Sequence, residues 1–267
     1  MKHIVPVLSA CCIAILSGCG PAEKDATGKI KLGFSAVKDK PIKVYYSFSV
    51  TSVSAKAVTT FNMELSGKGE TDANGNTTVQ FRNDAISMEG IVNGEIASAK
   101  AGSTDTLTGE LRLVAMPVFS LLGKTYQVVY SPQLDKKSEI QVNGTEIVDS
   151  TENKMQFYVR YPDHEVGVGD TWQKELLIKA GNKMNCSATY TLKEIKGDSA
   201  VIAIQGKLYG KGESFGNEFS IDGKLNGTFT VDVQTGWPLS TRIDEEFSLK
   251  MEDKDLPMTY SIRSKVE

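Results

Sequence analysis

Apolar and polar residues alternate with a period of two through most of this chain, which confines it largely to extended strands. In Ile42-Lys43-Val44-Tyr45-Tyr46-Ser47-Phe48-Ser49-Val50, the side chains of Ile42, Val44, Tyr46, Phe48 and Val50 share one face. Leu239, Ile243, Phe247, Leu249 and Met251 do the same opposite Ser240, Arg242, Asp244, Glu246, Ser248 and Lys250. A strand sends successive side chains to opposite faces, so each run reads as an amphipathic strand with one buried side. Hairpin signals stand between the runs: Ala73-Asn74-Gly75, Asn93-Gly94, Asn143-Gly144, Lys196-Gly197-Asp198, Asp222-Gly223 and Asn226-Gly227. Glycine and asparagine supply the positive φ that tight primed turns require. The expectation is a mainly β protein, with antiparallel meander sheets forming a curved half-barrel or sandwich and one or two short helices. The best helical candidate is the apolar stretch Leu111 to Leu122, interrupted by Pro117.

The amino terminus carries an address rather than a strand. Lys2 precedes a mostly apolar stretch from Ile4 to Leu16, and Leu16-Ser17-Gly18-Cys19 closes it. The stretch is too short for a membrane span and has the layout of a secretory signal. The tetrapeptide resembles a bacterial lipoprotein lipobox, which implies cleavage before Cys19 and a diacylglycerol on its thiol. Each buried methylene contributes about 0.8 kcal/mol, and two or three acyl chains hold a protein firmly where one does not. Gly20, rather than Asp, follows the cysteine, which by resemblance to Gram-negative sorting favours the outer membrane over inner-membrane retention. Residues 1–18 therefore read as signal peptide and 19–29 as a lipidated tether.

Removing residues 1–18 from 267 leaves 249, enough for one large β domain or two small ones. A polar stretch, Thr145 to Lys154, divides a β-rich half at 30–144 from another at 145–267. Gly123-Lys124-Thr125-Tyr126-Gln127-Val128 leads to Ser131-Pro132, and Gly227-Thr228-Phe229-Thr230-Val231-Asp232 leads to Gly236-Trp237-Pro238. Both read as strand, turn, strand, so the halves admit a reading as distant repeats.

Several function classes lose their footing on composition. A formal net charge of −3 without long runs of one sign disfavours nucleic acid and anionic surfaces as partners. Cys11 and Cys12 leave with the signal, Cys19 carries lipid, and Cys186 remains without a disulfide partner in the chain. Cys186 lies at apolar parity with Met184, Ala188, Tyr190 and Leu192, as a small buried hydrophobe would. A nucleophilic role needs a base, and the mature chain holds one histidine, His164. Asp72-Ala73-Asn74-Gly75-Asn76-Thr77 begins like a calcium loop, but its sixth position is Thr77 and its twelfth Asn83, so it reads as a hairpin turn. One histidine and one cysteine make no common zinc set. The acid pairs Glu245-Glu246 and Asp253-Asp255 give no catalytic reading, because strand neighbours such as Glu245 and Glu246 face opposite ways and one sequence does not show pairs made across strands. No catalytic residue, metal ligand or cofactor site is expected, and the chain reads as non-enzymatic.

Val166-Gly167-Val168-Gly169-Asp170-Thr171-Trp172, preceded by Pro162, resembles a motif in a family of uncharacterised bacterial envelope lipoproteins. Leu122-Gly123 with Tyr126 leading to Ser131-Pro132, and Val231 to Gly236, are similar to further features of that family. Where the family often has a glycine-containing turn after position 131, this chain has Pro132-Gln133-Leu134-Asp135-Lys136-Lys137. The resemblance implies a β-rich exported domain and brings no activity. Asp170 suits backbone capping in a turn, and Trp172 suits a ring that seals one end of the core.

Two roles remain open on the sequence. In the first, Val44, Tyr46, Phe48, Phe61, Met63, Leu65, Phe81 and Met88 form the apolar face of a carrier for a lipid or other apolar ligand, with Leu111 to Leu122 as its lid. In the second, the same residues close a filled core, and the loops or edge strands meet a protein partner of unknown kind.

Overall fold

The computed structural model describes residues 28–36, 40–52, 57–92, 94–102, 107, 109–143, 146–149, 158–180, 182–214, 217–251 and 254–267. The expected signal peptide at 1–18, Cys19 and most of the expected tether at 19–29 lie outside these residues. The alternating runs form β1 (Pro41–Ser52), β2 (Ala57–Thr71), β3 (Thr77–Val92) and β4 (Glu95–Lys100), followed by the helix α1 (Gly109–Phe119). Next come β5 (Thr125–Tyr130), β6 (Lys136–Asn143) and β7 (Glu146–Asp149). The chain ends with β8 (Thr171–Ala180), β9 (Asn182–Lys196), β10 (Ser199–Ser214), β11 (Asn217–Asp232), β12 (Pro238–Met251) and β13 (Lys254–Val266).

All thirteen strands belong to one antiparallel meander sheet of order β7-β6-β5-β3-β2-β1-β13-β12-β11-β10-β9-β8. The lower part of β3 pairs with β5 and its upper part with β4. Neighbours in the sheet are neighbours in the chain, with the main exception of β1 and β13, the first and last strands, which pair from Val44↔Val266 to Ser52↔Met258. Among the described residues no pairing joins β7 to β8, so the curved sheet is not closed there.

Two irregular segments tie the halves together. Ile30, Leu32 and Phe34 are buried, and Ile30 and Val166 exchange backbone hydrogen bonds of 2.9 Å. Phe34 N–H donates to Pro132 O (2.7 Å) in the turn between β5 and β6. Ser35 N–H donates to Thr235 O (2.8 Å) in the turn between β11 and β12. The Phe34 ring meets Tyr130 on one side and Trp237 on the other, at centroid distances of 5.5 and 4.9 Å. The second segment, 158–166, buries Val159, Tyr161 and Val166. Tyr161 N–H donates to Gln133 O (2.9 Å), its hydroxyl donates to Gly236 O, and Arg160 Nε lies 3.2 Å from Asp135 Oδ1. The two strand-turn-strand units read from sequence are thus clasped by the same pair of segments.

Two turn expectations are corrected. Asp222-Gly223 and Asn226-Gly227 lie inside β11, not in hairpins. A Cβ at Gly223 would come within 2.4 Å of Glu246 O and Phe247 Cβ, and one at Gly227 within 2.4 Å of Arg242 O. These glycines let β12 approach closely. By contrast Asp72 to Asn76 does turn the chain, with Asp72 Oδ1 accepting from Asn74 N–H and Asn76 N–H at 2.8 and 2.9 Å. After Ser131, Leu134 takes a left-handed φ of 66° and is completely buried. Its packing offsets a backbone cost of roughly 1–2 kcal/mol.

Candidate functional site

Glu245 is a carboxylate on the buried face of a strand. β12 alternates Ile243, Glu245 and Phe247 inward with Asp244 and Glu246 outward, and Glu246 meets Lys224 across the outer face at 3.0 Å. The Cα partners of Glu245 are Leu225 on β11 and Tyr260 on β13. It is fully buried, and neither carboxylate oxygen has a hydrogen bond of normal geometry. Burial raises its pKa to about 7, with the Tyr158 hydroxyl working the other way. Among the described residues no basic group counters that burial. The negative charge acts on Tyr46 from β1, Tyr158 from the 158–166 segment, Tyr260 from β13 and Cys186 from β9. Burial first, and this charge second, raises the pKa of each of those phenols and of the thiol.

Cover over the inner face is uneven. Thr59, Phe61 and Met88 on β2 and β3 are buried. The inward side chains of the central strands, Phe48, Leu249, Met251, Met258 and Tyr260, are only half-buried although they pack on the core. Tyr46 and Tyr158 share that state. The layer over Glu245 therefore consists of tyrosines and apolar side chains that still touch solvent.

All eight apolar residues singled out above lie on the inner face. Val44 stands opposite Leu65, Tyr46 opposite Met63, Phe48 opposite Phe61, and Phe61 in turn opposite Met88. Phe81 stands opposite Gly67 on β2. The Phe48 and Phe61 rings stack at 4.8 Å. Val44, Phe61, Met63, Leu65, Phe81 and Met88 are buried, while Tyr46 and Phe48 are half-buried. α1 lies against β3, with Leu111 Cδ2 3.2 Å from where a Cβ on Gly90 would stand. An open groove of about 580 Å³ crosses the opposite, outward side of β1, β2, β3 and β13. Its outward residues include Tyr45, Glu64, Lys100 and Lys265, and Tyr46 and Met63 border it from the alternate positions.

The Val166–Trp172 motif is a structural clasp. Asp170 Oδ2 accepts from Gly167 N–H (2.9 Å), and Gly169 supplies a φ of 97°. Trp172 Nε1 donates to Arg160 O (2.7 Å), and its ring stacks on Tyr190 at 5.5 Å. Cys186 is fully buried beside Gly206, and burial pushes its thiol up to about 12. His164 is exposed beside Asp163.

Glu245 was within reach of sequence reading. It occupies an inward parity position between Ile243 and Phe247, the one charged residue in a row that is otherwise apolar apart from Thr241. Tyr260 faces it from the next strand of the same hairpin, whereas Tyr46 and Tyr158 come from elements far away in the chain, and no spacing announces those two.

Residues 133–238 match the model of a family of unknown function (DUF6263), a stretch that runs from the turn before β6 to the start of β12 and contains Val166–Trp172. Comparison with curated proteins gave no match.

Proposed function

We propose that this chain is a lipid-anchored, non-enzymatic lipoprotein of the cell envelope that holds a hydrophobic ligand against the inner face of its sheet. The half-buried wall of Phe48, Leu249, Met251, Met258 and Tyr260 around the buried Glu245 carries the ligand-binding reading. A core built only for stability would bury those side chains as fully as it buries Phe61 and Met88, because each methylene left wet forgoes about 0.8 kcal/mol. The anchor and the outer-membrane placement rest on Leu16–Cys19, Gly20 and the Val166–Trp172 resemblance to envelope lipoproteins.

A second reading has its own support. Six of the eight apolar residues are packed out of reach, as expected of a structural or partner-binding lipoprotein whose interior is filled. Native mass spectrometry of detergent-free protein lacking residues 1–19 separates the two. Co-purified lipid supports the carrier, and reproducible absence of binding across membrane lipid extracts overturns it. For the anchor, labelled palmitate enters the wild-type chain and not Cys19→Ala. Equal labelling of both refutes the lipidation.

A further inference from the structure

We infer that Glu245 recognises the polar end of the ligand, and that this end is an uncharged or cationic hydrogen-bond donor, a hydroxyl or an amine, rather than a carboxylate or phosphate. The inference rests on the carrier reading and deepens it. A buried carboxylate lacking normal hydrogen bonds is expensive, since a buried acceptor without a donor forfeits roughly 1–3 kcal/mol and a charged one more. Sheet interiors rarely keep one, and an apolar residue at position 245 would continue the row of Ile243 and Phe247.

The surroundings determine what can satisfy it. Its strand partners are Leu225 and Tyr260, and its charge raises the pKa of three phenols and a thiol, from β1, the 158–166 segment, β13 and β9, after burial. An alkanol or alkylamine head donates to the Glu245 oxygens, and the Tyr46 and Tyr260 hydroxyls stand within the field of the same carboxylate for the head's remaining hydrogen bonds. Its alkyl chain then runs along Phe48, Leu249, Met251 and Met258. A carboxylate or phosphate head brings like charge to a site where, among the described residues, no cation acts on Glu245, which low dielectric makes costly. The tyrosines over Glu245 are half-buried, so a head group reaches the carboxylate by displacing side chains rather than strands.

The test uses the chain from residue 19 onward with Cys19→Ser, which keeps every described residue. A neutral fluorescent naphthylamine reporter is displaced by dodecanol, dodecylamine or laurate at pH 8. The expected order has dodecanol and dodecylamine displacing it at about tenfold lower concentration than laurate, one lost charge-assisted contact being worth about that factor or more. Glu245→Gln keeps the shape, removes the charge, and collapses the difference between dodecylamine and laurate. In the wild type laurate also tightens as pH falls from 8 to 5.5, a readout independent of whether the variant folds. Failure of the reporter and all three probes to bind overturns the carrier reading itself. Reporter binding with laurate as effective as dodecanol, no pH dependence, or an unchanged order in Glu245→Gln overturns the role of Glu245 alone.

Discussion

An interior carboxylate that protonates more readily in the folded than in the unfolded chain gives stability an unusual pH dependence. Glu245 moves from an ordinary 4.5 to about 7 on folding. Between those values the folded state holds a proton that the unfolded state has released, so stability falls as pH rises through this window and levels off above it. The swing is on the order of 3 kcal/mol. Urea denaturation at pH 5 and pH 8 is expected to show Glu245→Gln gaining on the wild type by about that amount at the higher pH. An equal difference at both pH values counts against the buried charge. A second residue-scale prediction concerns Gly206, where a Cβ would meet Cys186 Sγ at 2.5 Å. Gly206→Ala is expected to cost about 1–3 kcal/mol as overpacking. Cys186→Ala should recover part of that cost in a double-mutant cycle. The burial of Cys186 could be read from its neighbours' parity, whereas the glycine facing it, on the adjacent strand, could not.

At the scale of elements, the segment around Phe34 holds together what the sheet alone would leave apart. Its backbone donates to the β5–β6 turn and to the β11–β12 turn from consecutive residues, and its ring lies between Tyr130 and Trp237. Deleting residues 1–27 is expected to leave the thermal midpoint unchanged. Phe34→Ala is expected to remove about 3–5 kcal/mol, and scanning calorimetry of the two distinguishes a clasp from a passive tail. A loss as large from the deletion of residues 1–27 would place the stabilising contacts before Gly28. Sequence patterning reads elements of this kind poorly. Alternation found the strands because one side of each is buried, but Ile30, Leu32 and Phe34 form one bridge and no ladder. The same limit explains Gly223 and Gly227, since a glycine admitting a neighbouring strand and a glycine turning a hairpin look alike in one dimension.

For the whole molecule, the pairing of β1 with β13 is what makes a chain-ordered meander into one surface. Removing residues 254–267 bares the neighbouring edges of both β1 and β12 along most of their length. Such exposed rows of unpaired backbone promote self-association. Size-exclusion chromatography of the truncated chain is expected to show aggregates in place of a monomeric peak. A monodisperse monomer would mean that β1 and β12 find each other without the strand between them. The mainly β, antiparallel character was evident in the residue pattern. Nothing in one dimension showed that β1 and β13 would be sheet neighbours, because that pairing spans more than 200 residues and leaves no local signature.

Synthesis proceeds from the amino terminus, so β1 waits for one of its two neighbours until β13, more than 200 residues further along, has left the ribosome. A nascent polypeptide of this design cannot lock into its native sheet early, however quickly its local hairpins form. On the proposed export, that delay would keep the chain loose while it is threaded across a membrane and let it set after release on the far side.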